Sequence, residues 1–317
     1  MNKTIPMIAA LVAVIALSAA LCGCASMPPL TDADLTKRME FNCTFDRLQV
    51  GEERRYYVEI RPAGSIDDAV FSSSNEAVAT IDEQGVVTAL AAGETTVAVR
   101  SEKTRKEASF ELTVYDEIIF SDGAGEGDER LALAASSEQP ASVAVCGRFS
   151  VPVSVNGILK IEAIGRTELC GARVFEGGSL SVKDAAFAAR EGGICVEVGE
   201  GAEFSAVSCT FACDPSAEPA TACLAARGFS SLTLDECDFA GFEKAVAIEP
   251  SDGEAHVFNN VFSRCAAAIE ADVSLPDEGA NAALGGEIVD NIFADCQKTF
   301  ELIAFGNYEG GLKTDGD

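Results

Sequence analysis

The sequence predicts an all-β chain of two unlike halves, a small two-sheet sandwich followed by a short stack of parallel coils. Three observations predict it. Residues 41–116 fall into short alternating strings separated by Gly and Pro turns. Residues 117–306 carry one string that returns five times and ends each time in Phe. The 317 residues are 48% hydrophobic and 23% charged, a globular composition with chain enough for about two domains.

The N-terminus sets the expected address. Lys3 precedes an apolar run from Ile5 to Leu21, interrupted by Pro6 and Ser18, and a charged start before a short apolar core describes an export signal. The run ends in Leu21-Cys22-Gly23-Cys24, which resembles the lipobox of bacterial lipoprotein signals. The resemblance implies a signal peptide over residues 1–23 and lipid on Cys24, because cleavage before Cys22 would put bulky Leu21 at the cut. An ordinary secretory signal cut near Ala25 is the alternative. Several acyl chains on one residue hold a membrane firmly where a single chain holds marginally. Residues 24–40, with Pro28-Pro29, then form a tether, and the expected location is the extracytoplasmic face of the cell membrane.

Charge and composition remove several functions. Twenty-three Lys and Arg against 51 Asp and Glu leave a formal charge of −28, which repels phosphate backbones, so no nucleic-acid partner is expected. There is no Trp, four Tyr and one His, which thins both histidine-based catalysis and aromatic sugar platforms. Cys22 leaves with the signal and Cys24 takes lipid, so ten of the 12 Cys remain. No CxxC pair has metal spacing, and most of the ten sit beside apolar residues in strand-like stretches. Buried, reduced thiols acting as small hydrophobes are expected, with a disulfide framework as the alternative.

The sandwich is read from alternation. Arg55–Ile60, Val86–Leu90, Thr95–Val99 and Phe110–Val114 alternate, with turn signals at Gly51, Pro62-Ala63-Gly64, Gln84-Gly85 and Ala92-Gly93. The ordered string Leu48-x-Val50-Gly51, Phe71 to Asp82, Gly85 to Leu90 and Gly93 to Val97 resembles the bacterial immunoglobulin-like domain of group 2. Phe71 stands where that family usually has Trp, and is expected to fill the inter-sheet core. The resemblance implies an extracellular spacer or adhesive module, with no catalytic residues to carry over. Ser73, Ser74 and Asn75 read as a turn that satisfies its own backbone, since no His lies nearby to serve a nucleophile.

Past Tyr115 the composition shifts to Gly, Ala and Cys, and Asp128 to Ser136 fits one short amphipathic helix. The repeated strings end in Phe187, Phe211, Phe239, Phe262 and Phe293, at intervals of 24, 28, 23 and 31 residues. Two positions before each Phe stand Ala185, Cys209, Cys237, Asn260 and Asn291, all small or amide residues. Such a recurrence means stacked units that bury their faces only against neighbours, with Phe on Phe and Cys or Asn on its kind. Buried Asn260 and Asn291 then hydrogen-bond along the stack and avoid a desolvation cost of roughly 1–3 kcal/mol. The stretch from about 142 to 306, with its x-x-Asn-x-Phe strings and the entry Val143 to Phe149, resembles the right-handed parallel β-helix of the pectate-lyase-like superfamily. About seven coils fit, with excursions over 214–221 and 275–284. Residues 307–317 read as a flexible tail, and the last edge is left to a partner or to that tail.

The superfamily resemblance implies either enzymes or adhesins. Its hydrolases need Asn-x-Asp, Asp-Asp, Gly-His-Gly and Arg-x-Lys strings, and residues 117–317 contain none of these. Lyases need a Lys or Arg base and calcium held by acids. Asp235, Asp238, Asp290 and Asp295, with Asp184, are the acids offered, and calcium is the one cofactor the residues suggest. Lys183, Arg190, Arg227 and Lys244 are scattered bases, and His256 reads as a strand residue without a nucleophile beside it. The reading favoured is a non-enzymatic, lipid-anchored surface protein whose spacer presents a β-helix to envelope or host glycans or to a surface protein. The alternative is a calcium-dependent polysaccharide lyase with a divergent site.

Overall fold

The computed structural model describes residues 35–63, 68–123, 125–189, 194–213, 222–249, 253–272, 284–303 and 312–314. The signal peptide, Cys24, Arg190, residues 214–221 and 275–283, and most of residues 307–317 lie outside the described residues.

Two architectures follow one another. The first is a sandwich of a four-stranded sheet, in the order Phe45–Gln49, Glu107–Tyr115, Gly93–Ser101 and Ala69–Ser73, against a three-stranded one of Glu53–Arg55, Val86–Ala89 and Ala79–Ile81. Alternation drives it: Val97 and Val99 point inward while Thr96 and Arg100 point out. The string expected as one strand over Arg55–Ile60 breaks at Tyr56, which turns inward and donates its hydroxyl to Asp46 at 2.7 Å. Phe110, not Phe71, is the central core aromatic: its ring meets Tyr56 at 4.5 Å and Phe41 at 4.9 Å, while Phe71 is half-buried. The sandwich also starts before residue 41. Arg38–Phe41 pairs antiparallel with Val58–Arg61, so residues 38–40 of the expected tether are strand, held by edge hydrogen bonds that composition does not reveal.

The second half is a parallel β-helix. A first sheet runs through Ile158–Glu162, Ser179–Lys183, Glu203–Val207, Ser231–Asp235, Glu254–Phe258 and Gly285–Val289, every neighbour parallel. A second stacks Ala186–Ala189, Thr210–Cys213, Asp238–Ala240, Val261–Ser263 and Ile292–Ala294. A third holds seven strands, from Val153–Val155 to Lys298–Ile303. In the early coils, the single strands Ala141–Phe149 and Ile158–Leu169 run around the corner that later coils turn sharply. Their pairing slips between Val145 and Gly147, and a Cβ on Gly147 (φ +112°) would lie 1.9 Å from the Ser121 carbonyl oxygen, so this crossing requires glycine.

The expected helix is present over Glu126–Ala135 and buries Leu131 and Ala135 against the first coils. Asp128 is buried and accepts hydrogen bonds from the Ser150 hydroxyl (2.6 Å) and backbone N–H, which fixes the helix over that end. At the other end Leu312–Thr314 pairs with Gly286–Ile288. Part of the stretch expected to be a flexible tail is therefore strand, because the open ladder of the first sheet offers it unpaired backbone groups.

Candidate functional site

Geometry at the coil corners comes first, since it decides which side chains face out. Asp184, Ser208, Glu236, Asn259 and Asp290 all have positive φ between 52° and 60°, which turns the chain from first sheet to second. The next residue in each coil, Ala185, Cys209, Cys237, Asn260 or Asn291, then points inward. Asn260 is fully buried and satisfied: its Oδ1 accepts from the Cys237 N–H (2.9 Å), and its Nδ2 donates to the carbonyls of Leu234 and Phe258. Asn291 repeats the pattern with the carbonyls of Val257 and Val289, and its Oδ1 accepts from Asn260. The thiols of Cys209 and Cys237 donate to the equivalent carbonyls one coil and two residues back. Cysteine thus stands in for the amide as a weaker donor. Beyond the corner, Phe187, Phe211, Phe239, Phe262 and Phe293 stack ring on ring at 4.8, 4.6, 4.9 and 5.4 Å, within 14° of parallel. Those residues build the scaffold and present nothing to a ligand.

The four aspartates expected around calcium fall in different columns. Asp235 and Asp238 flank one corner, and Asp235 accepts from Asn259 Nδ2 at 3.1 Å. Asp290 lies two coils on, with Asn259 between, and Asp295 stands at the next corner in line with Arg264. Two coil steps of about 4.8 Å separate Asp290 from the first pair. Calcium ligands sit about 2.3–2.6 Å from the ion, so one ion cannot join these coils. Among the described residues, no group of three or more His, Cys, Asp or Glu is placed to hold a metal. Two of the four bases are engaged elsewhere: Arg227 pairs with Glu249 (2.7 Å) and Lys244 with Glu270 (2.6 Å).

What the first sheet does present outward is regular. One column runs Lys160, Ser181, Ser205, Thr233, His256, Glu287 and Lys313, with Ser179, Glu203, Ser231 and Glu254 beside it. His256 Nε2 lies 3.3 Å from Glu254, and Ser179 donates to Glu203 at 3.1 Å. The result is a flat, partly exposed face of hydroxyls and carboxylates, one set per coil.

A groove that sequence reasoning missed lies where the sandwich meets the β-helix. It encloses about 550 Å³ and is lined by Phe45, Arg47, Glu94, Glu111, Glu162 and Lys183, among others. Its keystone is Glu162, which accepts from the Tyr115 hydroxyl at 2.6 Å and from Arg47 at 3.1 Å. Burial pushes the Glu162 carboxyl up, but these hydrogen bonds and the charges of Arg47 and Lys183 outweigh it and hold the group below its ordinary range. Burial and the hydrogen bond to Glu162 push Tyr115 well up. Arg47 also lies over the Phe45 ring, 4.3 Å from its centroid. Further hydrogen bonds tie the junction: the Asp116 carboxylate accepts from the Ser142 N–H, the Asp116 N–H donates to the Ser142 carbonyl, and Gln49 Oε1 accepts from the Ile118 N–H. Arg47 and Glu162 are 115 residues apart in sequence, so no local pattern announces their meeting.

No curated protein matches the chain. Residues 42–111 match the family of bacterial Ig-like domains (group 2), the part of the chain that folds as the sandwich.

Proposed function

We propose that this is a lipid-anchored, non-enzymatic surface protein, in which the sandwich is a spacer and the outward face of the β-helix binds a linear glycan. The bacterial Ig-like segment supports a surface-associated bacterial protein. The observation that carries the binding reading is the column Ser181, Ser205, Thr233 and His256 with its carboxylate neighbours. It offers a polymer lying along the stack a hydroxyl or imidazole about every 4.8 Å. Each contact is weak alone, and a run of them accumulates affinity through avidity along the chain.

Two measurements test it. Cys24→Ser should move the protein from the membrane fraction to the soluble one; retention on the membrane would remove the anchor. Glycan-array binding by the purified chain should weaken at least tenfold in the double substitution Ser205→Lys, Thr233→Lys, and binding unchanged by it would remove this face. A calcium-dependent lyase is the competing reading, favoured by the one observation that Lys183 shares the junction groove with Glu162 and Glu94. Unsaturated-uronide absorbance appearing with pectin, alginate or a glycosaminoglycan in calcium, and lost in Lys183→Ala, would replace the binding reading with that one.

A further inference from the structure

Six of the ten cysteines face one another across neighbouring coils. In-register pairing sets Cys195 opposite Cys223, Cys209 opposite Cys237 and Cys265 opposite Cys296, and all six are free thiols. The first two pairs are fully buried. The third shares with Cys209 and Cys237 a thiol that donates across the coil boundary, from Cys296 to the Phe262 carbonyl at 3.5 Å, and differs in two ways. Cys296 is half-buried. A surface depression of about 570 Å³, lined by Phe242, Arg264, Cys265, Asp295 and Gln297 among others, opens onto the partner sulfur's residue.

We propose that Cys265 and Cys296 are a dithiol that small disulfide compounds oxidise to a bridge, stapling one coil to the next. Adjacent parallel strands put facing Cα atoms about 4.8 Å apart. That lies inside the disulfide window of about 4.4–6.8 Å. The corner residues Arg264 (φ 54°) and Asp295 (φ 55°) share one conformation, so the two cysteines leave their corners in the same direction. The Cys296 thiolate attacks one sulfur of an oxidant RS–SR and expels RS⁻, which takes up the proton Cys296 lost. Cys265 then gives up its proton and attacks the Cys296 sulfur of the mixed disulfide, expelling the second RS⁻. Two electrons pass from the pair to the oxidant, which leaves as two RSH. Burial, with the nearby Cys296 thiol contributing, pushes the Cys265 thiol up, so the second attack is the slower.

The test uses the full chain and 2-hydroxyethyl disulfide, which is small and uncharged and so escapes repulsion by the acidic surface. After treatment, quenching and iodoacetamide in denaturant, peptide mapping should find residues 265 and 296 linked, with the intact mass down by two hydrogen atoms. Cys265→Ser should stop at a mercaptoethanol adduct on Cys296. The proposal is overturned if wild-type protein stops at that same adduct, if both cysteines remain open to alkylation, or if Cys195–Cys223 links as readily. Mapping of the wild-type chain decides the matter even should a variant fail to fold.

Discussion

Phe239 is the middle ring of the aromatic stack, fully buried, with Phe211 at 4.6 Å on one side and Phe262 at 4.9 Å on the other. Truncating a buried Phe to Ala costs about 3–5 kcal/mol, through lost burial and the cavity left behind. Rings on both faces, each aromatic contact being worth about 0.5–1.5 kcal/mol beyond area, put Phe239→Ala at the upper end, ~4–5 kcal/mol. Phe293 is partly buried with one ring neighbour among the described residues, at 5.4 Å, so Phe293→Ala should cost only about 1–2 kcal/mol. Guanidinium unfolding followed by far-UV circular dichroism measures both. Tyrosine fluorescence gives the control once Tyr308 is replaced by Phe in every variant, because the other three tyrosines, Tyr56, Tyr57 and Tyr115, belong to the sandwich segment. If Phe239→Ala costs no more than Phe293→Ala, the rings are not the shared spine of the coils.

Asn260→Ala should cost about 3 kcal/mol in the same assay, since it leaves the Cys237 N–H and two carbonyls buried without partners. Asn260→Asp, which cannot donate to those carbonyls when ionised, should be no better. Glu162 titrates below its ordinary range in the folded chain, so its stabilising contribution is present above the unfolded value of about 4.3 and disappears as pH falls through the lower folded value. Thermal melts should therefore show the sandwich loosening from the β-helix in acid, and Glu162→Gln should flatten that dependence. Asp46 is held down in the same sense, by hydrogen bonds from Tyr56, the Arg47 backbone and Arg54 that outweigh its burial. Asp46→Asn should accordingly lower the sandwich's melting temperature at neutral pH and much less in acid. Gly147→Ala should destabilise by at least about 2 kcal/mol, because both its positive φ and the Ser121 carbonyl stand against a Cβ.

The scaffold was legible because its repeated element is local. Each coil spends one Phe and one small or amide residue at fixed spacing, and that pair recurs whatever the loops do. The turn residue just before the inward position was not read as one: Asp184, Ser208, Glu236, Asn259 and Asp290 are all polar, but side-chain type alone does not announce a left-handed backbone. Asp235, Asp238, Asp290 and Asp295 were chosen for their nearness to the repeated string, and the fold sets them in different columns. A displacement of one residue along a strand swaps faces, and a displacement of one coil moves a group a full strand spacing, so nearness to the repeated string says little about nearness in space. Glu162 escaped notice because its partners, Arg47 and Tyr115, come from the other half of the chain. The strand at Arg38–Phe41 and the one at Leu312–Thr314 are made by edges that recruit whatever backbone passes, which composition does not encode.

The passage from sandwich to β-helix occupies a single residue, Asp116, between the strands Glu107–Tyr115 and Glu117–Asp122. The second of these is zipped in parallel to Val143–Arg148 over six consecutive positions. Traction along the backbone at that point loads the zipper lengthwise, so its hydrogen bonds must rupture together instead of peeling one by one. The two halves accordingly behave under tension as a spliced rod, and a pull on the sandwich is delivered to the coils undiminished.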